Sequence, residues 1–163
     1  MDSRAALKLG INGAGNVAEQ YLSDLSDADL LVRPVPGANH IAWQLGHLIQ
    51  AENWMMNLLR PGSMPDLPVG FAKQHDKETA ASDDPKAFRT KDEYLKLMKE
   101  QRAATLKLLD TLSDAELDQP SHEKLRHFIP TVGSVFSMQG THWMMHAGQW
   151  SVVRRKLGRP PLF

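Results

Sequence analysis

Two stretches of this 163-residue chain contain no Asp, Glu, Lys or Arg, one from Pro34 to Ala51 and the other from His127 to Val153. A segment stripped of charge seeks burial, and the second exceeds the roughly 20 residues that a membrane span requires. Its polarity excludes a span, because Thr131, Ser134, Ser137, Gln139, Thr141, His142, His146, Gln149 and Ser151 all lie inside it. What remains is a pair of helices buried in a bundle. Five of the seven histidines (His40, His47, His127, His142 and His146) fall in these segments. A protonated imidazole is costly there, so these side chains are either hydrogen-bonded core residues or metal ligands.

Hydrophobic periodicity predicts four long helices. Leu7, Ile11, Ala14, Val17 and Tyr21 recur at helical spacing over about residues 3–23. Gly10, Gly13 and Gly15 interrupt this stripe and mark it for close helix packing. They form no phosphate loop, because no strand precedes them and no Gly-Lys-Ser/Thr follows. The second helix, 39–60, takes Asn39 as its N-cap and stops at Pro61-Gly62. The third, 90–111, opens on a Thr90–Glu93 capping box. The fourth, 132–157, ends on Arg154-Arg155-Lys156 ahead of Gly158. No segment alternates as a strand would. The expected structure is one all-α domain over residues 1–163, an antiparallel four-helix bundle with one long crossover connection over 61–89. A connection of that length is read as a lid over the site, with Asp76 and Glu78 as the acidic residues that could approach it. A faint repeat, Leu25-Ser-Asp-Ala-Asp-Leu30 and Leu112-Ser-Asp-Ala-Glu-Leu117, precedes each charge-free helix and would set the second and fourth helices side by side.

Composition narrows the function. Nineteen Lys plus Arg balance nineteen Asp plus Glu, which leaves no basic face for nucleic acid. The expected partner is a small molecule, with neither nucleic acid nor membrane involved. There is no cysteine, which removes disulfides, cysteine nucleophiles and thiolate metal sites and favours the cytoplasm for a small chain.

The chemistry therefore falls to histidine. His142 and His146, four apart on the fourth helix, leave it on one face roughly 6 Å apart, close enough for one metal ion. Zinc proteases use the same spacing with a Glu between the two histidines; here Trp143, Met144 and Met145 intervene, so the protease reading fails while the ligand pair survives. His47, in the middle of the second helix and flanked by Leu45, Leu48 and Ile49, is the best third ligand. Glu52 lies about 140° further around that helix and is poorly placed to join it. His40 at the helix start is read as a cap, and His75 and His122, in charged loop-like surroundings, as solvent-exposed. A di-iron bundle would need Glu-x-x-His motifs, and the chain has none. The competing reading of the trio is three core histidines bonded to Ser, Thr and Gln.

Trp43-Gln44-Leu45-Gly46-His47-Leu48, Thr141-His142-Trp143-Met144-Met145-His146-Ala147-Gly148-Gln149 and the closing Gly158-Arg159-Pro160-Pro161 resemble the DinB/YfiT-like superfamily of metal-dependent four-helix bundles. The resemblance implies a three-histidine site of His47, His142 and His146 and, commonly, a homodimer. It also implies relatives that act as thiol-dependent transferases or isomerases. Three neutral ligands leave the charge of a divalent ion, zinc or nickel foremost, uncompensated and a coordination position open, the pattern of a catalytic ion. Such an ion would activate water or a low-molecular-weight thiol, giving a hydrolase or thiol S-transferase. The alternative is a non-catalytic metal- or ligand-binding bundle. Gln44, Gln139 and Gln149 are the candidates to hold the ligands' second ring nitrogens.

Overall fold

The computed structural model describes residues 2–162. In chain order the helices are α1 (Ser3–Leu22), α2 (Ile41–Leu59), the one-turn α3 (Phe71–Gln74), α4 (Lys91–Asp110), the one-turn α5 (Asp114–Leu117) and α6 (Val132–Lys156). Among the described residues no strand forms, and a single isolated bridge pairs Pro120 with Thr131. The four long helices lie within a few residues of the expected spans. Local chemistry sets their starts. Thr90 and Glu93 form the expected capping box on α4, and Thr131 caps α6 by accepting from the Ser134 amide. At α2 the cap is His40 rather than Asn39: its Nδ1 accepts from the Trp43 amide at 3.1 Å, and its Nε2 meets the Ser82 carbonyl at 3.1 Å. The two halves of the repeat each build a reciprocal Ser–acid turn, Ser26 with Asp29 and Ser113 with Glu116.

Each long helix has two neighbours: α1 packs on α6 and α4, and α2 packs on α4 and α6. Directions follow from residue pairs. Gly10 meets Gly140 while Tyr21 meets Arg154, so α1 and α6 run parallel. Gln44 meets Gln149 while Met55 meets Gln139, so α2 and α6 are antiparallel. Lys8 pairs with Asp110 and Glu19 with Lys99, so α1 and α4 are antiparallel. It follows that α2 and α4 are parallel neighbours, which corrects the expectation of an all-antiparallel bundle. The segments before α2 and before α6 join diagonal helices at opposite ends of the bundle, so α2 and α4 start from the same end. The chain must then return along the bundle, about 30 Å for a 20-residue helix, and the expected crossover does this.

The apolar interior has two parts. Leu45, Ile49, Phe71, Tyr94, Trp143 and Trp150 lie toward the α2 N-terminal end, and Met56, Leu109, Leu125 and Phe136 toward the other. Trp143 and Trp150 are core residues, 1% and 0% exposed. Between the two parts sits a buried ion pair, with Glu52 Oε2 3.0 Å from Arg102 Nη2. Glu52 Oε1 accepts from Thr105 at 2.7 Å, and Arg102 also donates to the Ile11 carbonyl at 2.9 Å and lies over the Trp143 ring. Burial pushes the Glu52 carboxyl up, against the pull of Arg102 and Thr105. The close approach of α1 and α6 is at Gly140, where a Cβ would stand 3.0 Å from the Gly10 carbonyl oxygen. Gly13 and Gly15 face open space, so packing does not explain them as the sequence reading supposed.

Candidate metal centre

Because α2 and α6 are antiparallel neighbours, with Gln44 opposite Gln149 and Met55 opposite Gln139, the N-terminal half of α2 faces the middle of α6. His47 thus stands opposite His142 and His146. Their ring centroids are 5.1 Å (His47–His142), 5.6 Å (His47–His146) and 5.0 Å (His142–His146) apart. One nitrogen from each ring lies within 4.8 Å of the other two, and no carboxylate joins the group among the described residues. The donor set is three neutral imidazoles, which fits a borderline-soft divalent ion such as zinc or nickel. Burial drives all three rings below the usual histidine value of 6.5, with His142 and His146 pulled down to about 4. Their lone pairs are free of protons at neutral pH, as ligation requires.

Gln44 determines which His146 nitrogen is free. The Trp150 indole N–H can only donate, and it lies 2.7 Å from Gln44 Oε1. That fixes the amide orientation, so the same oxygen must accept from His146 Nδ1 at 3.1 Å. The proton sits on Nδ1 and the bare Nε2 is left for a ligand. The Gln44 amide nitrogen donates to the Asn39 carbonyl at 2.7 Å and to Gln149 Oε1 at 2.9 Å. Of the three glutamines named from the sequence, Gln44 touches a site histidine and Gln149 backs it. Gln139 is engaged elsewhere, donating to the Val135 carbonyl.

The crossover borders the site. A cleft of about 350 Å³ opens beside His47 between Trp43, Gln50, Ala51 and Trp54 of α2 and His75, Asp76 and Lys77 of the crossover. Asp76 is therefore near the site, although its Oδ1 accepts from the Glu78 and Thr79 amides. Glu78 is not part of the cleft lining. The segment is a pinned wall rather than a loose lid. Asn53 and Gln101 both donate to the Pro65 carbonyl, and Arg33 donates to the Ala80 and Ser82 carbonyls and pairs with Asp83.

His75 corrects the sequence reading most sharply. Expected in solvent, it is 1% exposed. Its Nδ1 lies 2.9 Å from the Phe71 carbonyl and its Nε2 2.7 Å from the Tyr94 hydroxyl. The carbonyl can only accept, so Nδ1 carries the proton and Nε2 takes the hydroxyl's. Burial lowers His75 to about 4 and raises Tyr94 to about 12. The charged neighbours Asp76 and Lys77 concealed this role; the one local signal was Phe71, four residues earlier in the chain. His122, by contrast, is half-buried and accepts from the Lys124 amide, and His127 is exposed.

The model of the DinB superfamily matches residues 12–150. The chain belongs to the DinB superfamily. No curated protein matches it in sequence. Among solved structures, a conserved protein from Enterococcus faecalis is similar with a TM-score of 0.71 at 16% identity, covering 98% of this chain and 99% of that one. YfiT from Bacillus subtilis is similar with a TM-score of 0.67 at 16% identity, covering 96% and 89%. That protein is described as a probable metal-dependent hydrolase with an unusual four-helix bundle topology. At this identity the likeness speaks for the fold. The shared bundle is what sets α2 against α6 in this DinB-superfamily chain, and among the described residues no helix is long and apolar enough to cross a membrane.

Proposed function

We propose that His47, His142 and His146 hold one divalent ion, zinc or nickel, and that the protein is a metal-dependent enzyme of hydrolase or thiol S-transferase type acting on a small molecule. The observation that carries this reading is the convergence of three uncharged imidazoles from two helices within 4.8 Å, next to an open cleft. When bound, the ion supplies Lewis-acid chemistry that lets a water or thiol ionise near neutral pH. Gln44 keeps the His146 proton on Nδ1, so Nε2 stays available. Trp43 and Trp54 provide apolar walls for the body of a substrate, and Lys77 at the mouth favours one bearing an anionic group. The description of YfiT as metal-dependent supports the same reading. Cytoplasmic location is supported by the absence of cysteine. A homodimer is supported by Met144, Met145 and Val152, exposed on α6.

One observation favours the second reading, a non-catalytic metal-binding bundle. Both nitrogens of His75 are engaged and Asp76 Oδ1 accepts two amides, so His75 is not free to act as the acid–base group of the cleft. Elemental analysis of untagged protein should find about one ion per chain, lost in His47→Ala, His142→Ala and His146→Ala while the circular dichroism of a helical bundle is retained. Metal retained by His142→Ala at parental affinity would overturn the assignment. A panel of small thiols with electrophilic acceptors, and of hydrolysable esters and amides, then separates enzyme from binding protein.

A further inference from the structure

We infer that Trp43 is the positioning residue for His47, and that the crossover tunes the metal affinity of the site by holding the Trp43 indole. The inference rests on His47 serving as a ligand. A ligating histidine is normally oriented by a hydrogen bond to its second nitrogen, and Gln44 supplies this for His146. Among the described residues, His47 makes no such bond. Instead its ring lies flat on Trp43, one helical turn earlier, with centroids 5.1 Å apart and planes only 5° from parallel.

A stacked plate orients a ring only if the plate cannot move. Trp43 is 6% exposed, and its indole N–H is shared between the Asp76 carbonyl at 3.0 Å and the Thr79 hydroxyl at 3.2 Å. Thr79 is itself tied down, donating to the Gln74 carbonyl at 2.8 Å. A continuous chain of contacts thus runs from the pinned crossover through the indole to the His47 ring. It restricts that ring before any ion arrives, so less side-chain freedom is lost on binding. Loss of an orienting partner of this kind lowers metal affinity by about 10- to 100-fold.

Trp43→Leu removes the plate; Trp43→Phe keeps a plate but loses the N–H anchor. Two readouts are needed. In metal-free protein, the indole face should shift the His47 ring protons upfield in the NMR spectrum. That shift should vanish in Trp43→Leu and shrink in Trp43→Phe. In competition with a chromophoric chelator, Zn²⁺ affinity should fall about 10- to 100-fold in Trp43→Leu and by less in Trp43→Phe, with helical circular dichroism unchanged. If Trp43→Leu does not fold, the shrunken shift and weakened Zn²⁺ binding of Trp43→Phe decide the matter. Parental Zn²⁺ affinity in a folded Trp43→Leu, or no upfield shift in the parent, overturns the inference. A parent that binds no Zn²⁺ refutes the metal reading and the tuning of affinity with it, while the metal-free spectrum still decides whether Trp43 orients His47.

Discussion

Gly46 immediately precedes a candidate ligand, and its substitution tests how the crossover is seated. A Cβ built at Gly46 would lie 2.0–2.2 Å from the Cδ2, Cγ and Nε2 atoms of His75, far inside contact distance. The ring cannot slide away cheaply, because it is buried and bonded at both nitrogens to Phe71 and Tyr94. Gly46→Ala must therefore overpack the seat, at about 1–3 kcal/mol, or push His75 out. Expulsion leaves the Tyr94 O–H without its acceptor and the Phe71 carbonyl without its ring donor, while the Arg89 amide still donates to the Tyr94 oxygen, at about 1–3 kcal/mol. Against these stands about 1 kcal/mol of helix propensity gained by replacing glycine with alanine. The net expectation is a destabilisation of about 1 kcal/mol and at most about 2 kcal/mol, with the Tm lower by about 2–4 °C per kcal/mol for a chain of this size. Urea and thermal unfolding followed by circular dichroism would measure it, with Gly13→Ala, which faces open space, expected to stabilise by up to about 1 kcal/mol. In a His75→Ala background the new methyl group meets an empty seat, so Gly46→Ala should become neutral or stabilising, a clear departure from additivity. Gly46→Ala more stable than the parent in the native background would refute the packing argument, since helix propensity would then act unopposed by the His75 ring.

Acid should destabilise the metal-free protein. His75, His142 and His146 titrate at about 4 when folded and near 6.5 when unfolded. The unfolded chain therefore binds more protons in that window, and stability falls as pH drops from 6.5 toward 4; urea midpoints at pH 7, 5.5 and 4.5 would show it, and unchanged midpoints would contradict it. Metal-loaded protein should release its ion over the same range, which equilibrium dialysis at stepped pH can follow. Glu52→Ala should cost about 3–5 kcal/mol by stranding Arg102 in the core, while Glu52→Leu combined with Arg102→Met should cost much less; an equal loss in the double variant would rule out stranded charge as the cause. His122→Ala and His127→Ala should leave metal affinity unchanged by chelator competition, whereas His75→Ala should lower stability because it is a core residue.

The four helices and the His142–His146 pair were legible in the sequence because both depend on local rules, whereas the place of His47 opposite that pair depends on how α2 packs on α6. Capping residues, proline stops and a 3.6-residue period act within a few positions of one another, and an i,i+4 pair such as His142 and His146 shares a face in any α-helix. The first charge-free segment carried burial, as the interior run of α2 from Ile41 to Gly46 shows, whereas the second leaves Met144, Met145 and Val152 of α6 exposed. Helix direction was not legible. Parallel and antiparallel neighbours require the same apolar stripe, and only the diagonal connections before α2 and α6 make α2 and α4 parallel. His75 was not legible either. Its neighbours describe a surface loop, and its burial comes from a seat built by distant residues, where Gly46 leaves room against α2 and Tyr94, 19 residues further on, donates from α4. The roles of Gln44 and Trp43 lie between these cases. Their positions one turn or less before His47 placed them near the site, but whether each touches a ligand depended on which residues of α6 and the crossover arrived opposite. Interactions spanning a few residues follow from the order of the chain, whereas those that close across tens of residues follow from how the helices pack.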